Sequence, residues 1–268
     1  MDIKVRGIVI KASDYKDDDK LIRLYTLEQG KTGAVMRGVK KANAKLKIPA
    51  QVFCFGEYLL NGRGSLPTVT GCTVEESFFS LASDPDKFAA AASVMEILDK
   101  ALPDNESNPP IFIQALKTMK ELLKAGTDAC HGDTVPDPAC RETCPHDPAA
   151  DRTVSGQSKL ILLNFMLQFL KLSGYGLKLE KCCVCGEKNL RERRFDFSSG
   201  GVVCRPCAPF DAVKISPLAS GVMLAAQRCE TDRLNTLSLD VKGIEEGLSL
   251  CRQTAERVFE ITLKSFPS

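Results

Sequence analysis

Cysteine spacing constrains this chain more than any other feature of it. Two C-x2-C pairs, in "CCVCG" (182–186) and "CRPC" (204–207), stand eighteen residues apart. A C-x2-C turn points two thiolates at one ion, and two such turns supply the four sulfurs of a tetrahedral structural zinc. Cys182, Cys185, Cys204 and Cys207 form that set, with Cys183 as spectator, although a register using Cys183 is also open. The intervening "FDFSSGGVV" has the strand–turn–strand pattern of a zinc ribbon. Four thiolates leave no open coordination position, so the metal expected here is structural and not catalytic. Twelve cysteines in a short secreted chain would suggest a disulfide scaffold, but 268 residues can bury a core without staples. Paired cysteines of this spacing point instead to a reducing compartment.

Residues 1–80 are rich in short β-type runs: "IKVRGIVIK", "KLIRLYTL", "TGAVMRGVK", "QVFCFGEYLLN" and "LPTVTGCTVEE". Gly30, Gly33, Pro49 and "NGRG" (61–64) separate them, and Gly7 inside the first predicts a bulge or bend. Five strands without a long helix suit a small closed barrel such as an OB-fold, although the count does not separate it from other small barrels. From residue 81 the pattern turns helical. Ser83 or Asp84 caps a first helix that starts with Pro85; a second runs from Pro110 to Gly126, a third over 158–173 and a last one over about 242–264. The expected division is therefore a barrel (1–80), a helical domain (81–181 and 208–268) and a zinc ribbon (182–207). Residues 126–157 break periodicity and read as an insertion. Cys130, His131, Cys140, Cys144 and His146 fall there, but their spacing fits no metal-ligand pattern.

Charge is unevenly placed. Between Glu28 and Glu57 there is no acidic residue, yet Lys31, Arg37, Lys40, Lys41, Lys45 and Lys47 lie there, six cations without a local anion. The Asp cluster at 14, 17, 18 and 19 reads as a solvated turn between two strands, not a cation site. "GKT" (30–32) lacks the upstream glycine and following helix of a phosphate-binding loop. Both histidines sit in the insertion, so no nucleophile–base pair is credible and the chain is expected not to be an enzyme. No leading basic-apolar segment suggests secretion. The most apolar run, 160–172, is interrupted by Asn164, Gln168 and Lys171 and is too short to span a bilayer, so a cytoplasmic protein is expected.

Taken together, "GIVIKASDYKDDDKLIRLYTLEQGK", "MRGVKKANAKLK", "LQFLKLSGYGLKLEKCCVCGE", "FDFSSGGVVCRPC" and the terminal "LKSF" closely resemble the RecO family of bacterial recombination mediators. The family's acidic turn, D-Y-x-x-x-D-K, is matched by Asp14, Tyr15, Asp19 and Lys20, so the tag-like "DYKDDDK" is read as native. The resemblance implies an α+β multidomain protein with an N-terminal OB-fold and a helical domain carrying a four-cysteine zinc ribbon. It implies binding of single- and double-stranded DNA, annealing, and contacts with RecR and the C-terminal tail of single-strand-binding protein (SSB), which assist RecA indirectly. It places phosphate contacts on Arg37, Lys40, Lys41, Lys45 and Lys47, supported by Lys11, Arg6 and Arg63. Tyr15, Tyr25 and Phe55 are candidate stacking residues that also suit a core or turn. "RERR" (191–194) is a further candidate contact. Two other readings compete. A ligase-type enzyme is opposed by the absence of a K-x-D-G motif. A zinc-ribbon and OB-fold assembly factor in transcription or translation is separated from a mediator by whether it binds a single strand.

Overall fold

The five β-type runs become five strands: β1 (Asp2–Tyr15), β2 (Asp19–Thr26), β3 (Gly30–Met36), β4 (Cys54–Asn61) and β5 (Thr68–Ser77). This computed structural model describes residues 2–41, 44, 46–62, 66–125, 148–236 and 240–266, with backbone alone at 148–155, 232, 235 and 236. The strands close in the order β1-β2-β3-β5-β4. Every neighbour pair is antiparallel except β3 and β5, which meet in parallel at Val35 and Thr68. Closure in this order makes the domain an OB-fold.

β1 belongs to both halves of the barrel, pairing with β4 over Asp2–Ile8 and with β2 over Gly7–Tyr15. The bend that this requires sits at Ile10, where the register with β2 shifts, and not at Gly7 as the sequence suggests. Gly7 has another reason: a Cβ there would come within 2.9 Å of the Thr26 methyl and 3.1 Å of the Tyr25 carbonyl oxygen. Inside lie Val5, Val9, Ile22, Leu24, Met36 and Tyr58, all fully buried. Period-2 alternation has put one face of each strand there.

The first compact unit comprises Met1–Leu116 and Ile261–Ser265, so it extends beyond the barrel. It includes α1 (Pro85–Ala101), whose Asp84 cap accepts from the N–H groups of Asp86 and Lys87, and the first half of α2 (Pro109–Lys124). Both elements have reasons to pack on the strands. Phe88 meets Phe53 edge-on at 5.8 Å, and Phe112 lies 5.8 Å from Tyr25 and 6.3 Å from Phe55. The connecting segment closes over the β2–β3 turn, with the Asn105 N–H donating to Lys31 O at 2.8 Å. Gly30 permits that approach: its φ is +69°, and a Cβ would fall 1.9 Å from Glu106 O.

The second unit is built round α3 (Pro148–Leu172), with α4 (Pro217–Arg228) and α5 (Val241–Val258) against it. α3 begins ten residues earlier than its apolar pattern indicates, inside the stretch expected to be insertion. Ile161, Leu162, Phe165 and Met166 are as buried as Leu160, Leu163, Leu167 and Leu170, so α3 is enclosed on every side over residues 160–170. Asn164 is buried with it; its amide donates to Ala226 O (2.8 Å) and Cys229 O (3.1 Å), and its own oxygen accepts from the Thr231 hydroxyl. One side chain thus satisfies the end of α4. α5 stops at Val258, short of the expected 264, because Glu260 turns left-handed at φ 53°. Among the described residues no helix is long and apolar enough to cross a membrane.

Candidate metal centre and nucleic-acid face

A three-stranded sheet, β6 (Arg193–Asp196), β7 (Gly201–Cys204) and β8 (Val213–Lys214), in the order β7-β6-β8, carries the cysteine pairs. The expected strand–turn–strand is the β6–β7 hairpin, whose turn Asp196 fixes by accepting the N–H groups of Ser198 and Ser199. At the first knuckle the Gly186 N–H returns to Cys182 O and the Cys182 N–H to Glu187 O. These turns bring the sulfurs of Cys182, Cys185, Cys204 and Cys207 within 4.8 Å of one another. Cys204 Sγ lies 3.7 Å from the sulfurs of both Cys182 and Cys185. A tetrahedral ion with sulfurs at about 2.3 Å spaces them by about 3.8 Å, so the donor set fits one. Cys183 is outside this set. Its N–H is spent on Val202 O and its sulfur faces Gly201.

Burial opposes ionisation of Cys182, but the N–H groups of Cys185, Cys204 and Val184 outweigh it and bring the thiol down to about 6. Cys207 moves the other way, to about 12, first through its hydrogen bond with the Cys204 sulfur. One thiolate therefore forms readily while those of Cys185 and Cys207 resist, a conflict that a bound cation resolves. The five Cys and His residues of the insertion lie outside the described residues.

On the barrel, the basic run follows β3. Val39 and Ala50 are buried in the core and Leu46 packs against it, while Arg37, Lys40, Lys41 and Lys47 face outward. Apolar residues pin the segment, and the cations stand on a fixed base. Lys45 and Arg63 lie outside the described residues. Lys31 departs from the expected group: it is buried and donates to Asp99 O at 2.5 Å, with Asp104 at 3.3 Å. The segment also has the anions that its own sequence lacks. The hairpin turn of β1 and β2 places Asp14 at 3.1 Å from Lys40 and Asp18 at 3.6 Å from Lys41. Among the described residues, Arg37 and Lys47 have no ion-pair partner.

Two of the supporting cations, Arg6 and Lys11, are engaged elsewhere. Arg6 forms a bidentate pair with Glu75 at 2.9 and 2.6 Å and stacks over Phe55. Lys11 stands 4.0 Å from Asp99 and opposite Arg23 across the β1–β2 ladder. Arg23, absent from the sequence-based set, bonds Asp99 at 2.7 Å and lines a shallow cleft with Lys11, Gly33 and Leu66. Strand alternation, which puts Lys11 and Arg23 on one outward face, is the signal that would have found it. Tyr25 and Phe55 are buried and hold α2, so neither is available for stacking; Tyr15 stays half-exposed. The "RERR" segment lines a cleft of about 600 Å³ with Lys214 and Ile215, and Arg193 donates to Ser220 Oγ there.

Models of two families match this sequence: recombination protein O N terminal over residues 1–78, and recombination protein O C terminal over 82–133 and 152–267. The chain belongs to the recombination protein O family. The RecO match omits residues 134–151, which narrows the unmatched stretch to the middle of the 126–157 insertion. Among similar proteins, the DNA repair protein RecO of Clostridium novyi (strain NT) is 28% identical over 91% of this chain and 84% of its own length. That of Desulfitobacterium hafniense (strain DSM 10664 / DCB-2) is 28% identical over 97% and 86%. That of Bacillus pumilus (strain SAFR-032) is 29% identical over 90% and 82%. The family match thus covers residues 82–133, which read in the sequence only as generic helices.

Proposed function

We propose that this protein is a non-catalytic mediator of DNA repair that binds single- and double-stranded DNA through the basic segment of its barrel and anneals complementary strands. One observation carries this reading: Arg37, Lys40, Lys41 and Lys47 project from a segment anchored in the barrel core by Val39 and Ala50, in a chain of the RecO family. Annealing requires neutralising two phosphate backbones without gripping base edges. Lysines suit that task because their contacts are strong, sequence-independent and salt-sensitive. The cation at the cysteine centre is Zn²⁺, held by Cys182, Cys185, Cys204 and Cys207 in a closed structural site. The partners are RecR and the acidic, apolar C-terminal tail of SSB, which together help RecA onto SSB-coated gaps. The protein works in the cytoplasm, at the nucleoid.

Annealing of complementary oligonucleotides, bare and SSB-coated, tests the reading. The wild type should accelerate it, and Arg37, Lys40, Lys41 and Lys47 changed together to Ala should remove most of the acceleration. A wild type that neither binds nor anneals DNA would leave the assembly-factor reading in its place.

A further inference from the structure

The β1–β2 turn touches the basic segment in two chemically different ways. Its backbone and Asp19 make hydrogen bonds: the Lys40 N–H donates to Asp18 O at 3.1 Å, and the Gly38 N–H to Asp19 Oδ1 at 2.8 Å. Asp14 and Asp18 make ion pairs instead, at 3.1 Å to Lys40 and 3.6 Å to Lys41. These pairs are in water, with the Asp14 side chain 72% exposed and that of Asp18 52% exposed. Asp17, between them, is exposed and has no ion-pair or hydrogen-bond partner among the described residues.

We infer that Asp14 and Asp18 are built-in competitors for the nucleic-acid backbone, occupying Lys40 and Lys41 in the free protein and releasing them when a polyanion binds. The inference rests on the proposed role of the basic segment and adds a threshold to it. Exposed ion pairs are weak, so closely spaced phosphates can displace them. A strand also releases condensed counterions on binding, which an isolated anion does not, so the turn favours polymers over single phosphates. The hydrogen bonds through Gly38 and Lys40 keep the segment in place during the exchange. Salt weakens the internal pairs together with the DNA contacts, so the competitor flattens the protein's own salt dependence.

Binding of a fluorescent single-stranded oligonucleotide across a salt series tests this with four variants of the full chain. Asp14→Asn with Asp18→Asn should bind about three- to tenfold tighter, with a steeper salt slope. Asp17→Asn removes one charge from the same turn without touching a pair, and should give less than half that gain. Lys40→Ala with Lys41→Ala should weaken binding, and adding the two asparagines to that background should give no gain beyond about twice that of Asp17→Asn, the effect of two charges without a pair. Melting curves check folding, which the retained Asp19–Gly38 bond should preserve. An equal gain from Asp17→Asn, no gain from the double asparagine, or weaker binding by it would overturn the inference. If the lysine variant weakens binding and the asparagine variant does not strengthen it, this inference alone fails. If the lysine variant binds as the wild type does, or if no variant binds, the proposed DNA site fails as well.

Discussion

The carboxylate of Glu96, in the middle of α1, accepts the backbone N–H of Ser265 at 2.7 Å, a contact across 169 residues of sequence. The Lys264 N–H donates to the same carboxylate at 2.9 Å, and the Lys100 ammonium sits on it at 2.6 Å. Ser93 completes the clasp by donating to Ser265 O. Residues 261–265 are thus tied into the barrel's compact unit by one acid. Burial raises the Glu96 carboxyl, but Lys100 and the two N–H groups outweigh it and hold it below its ordinary 4.5. A carboxylate with a depressed folded value stabilises above its unfolded value, and loses that contribution as pH falls through the folded one. Glu96→Gln should therefore cost about 1–2 kcal/mol at neutral pH. Its melting temperature should fall less than that of the wild type between about pH 5 and 3. Parallel pH–melting curves for the two proteins would speak against the clasp.

Metal removal gives a second prediction. A closed four-sulfur site contributes its binding energy to folding. Chelator treatment should lower the melting temperature of the wild type, and Cys182→Ser or Cys204→Ser should abolish bound zinc and fold poorly. Cys183→Ser should keep one zinc per chain, measured by metal analysis, because its sulfur is outside the cluster. Unchanged melting with and without chelator would contradict a structural metal.

Asn164 gives a third. Asn164→Ala removes the buried side-chain donor to Ala226 O, a second donor bond to Cys229 O and one acceptor of the Thr231 hydroxyl. Unsatisfied buried groups cost about 1–3 kcal/mol each, so a loss of about 2–4 kcal/mol in denaturant unfolding is expected. A change within about 0.5 kcal/mol would mean that water or a neighbouring group replaces the amide.

What could be read from the sequence was what local spacing encodes. Cys182, Cys185, Cys204 and Cys207 were legible because each knuckle is a four-residue turn and a hairpin joins them. The strands were legible through Gly and Pro punctuation, although Gly33, read as a break, lies inside β3 opposite Arg23, and α1 was legible through Asp84 and Pro85. α4 was overlooked, although Ser216 caps it and Pro217 starts it, because its buried face is Ala219, Ser220, Met223 and Ala226, too small to give a strong apolar period. Pairings distant in sequence were not legible at all. Lys40 meets Asp14 and Lys41 meets Asp18 only once β1, β2 and β3 are side by side, so a run that looks unopposed along the chain is opposed in space. The same holds for Lys31, a surface cation by composition and a buried anchor in the fold.

If the basic segment after β3 holds the nucleic-acid backbone, the salt dependence of single-strand binding must change when its cations are removed. Oligonucleotide affinity should be measured from low to moderate salt for the wild type and for the protein with Arg37, Lys40, Lys41 and Lys47 changed to Ala. The variant should bind more weakly, with the slope of log affinity against log salt flatter by about 0.7 for each phosphate that it no longer neutralises. A wild type that binds tightly, with a variant of the same affinity and slope, would contradict this and place the DNA on another surface.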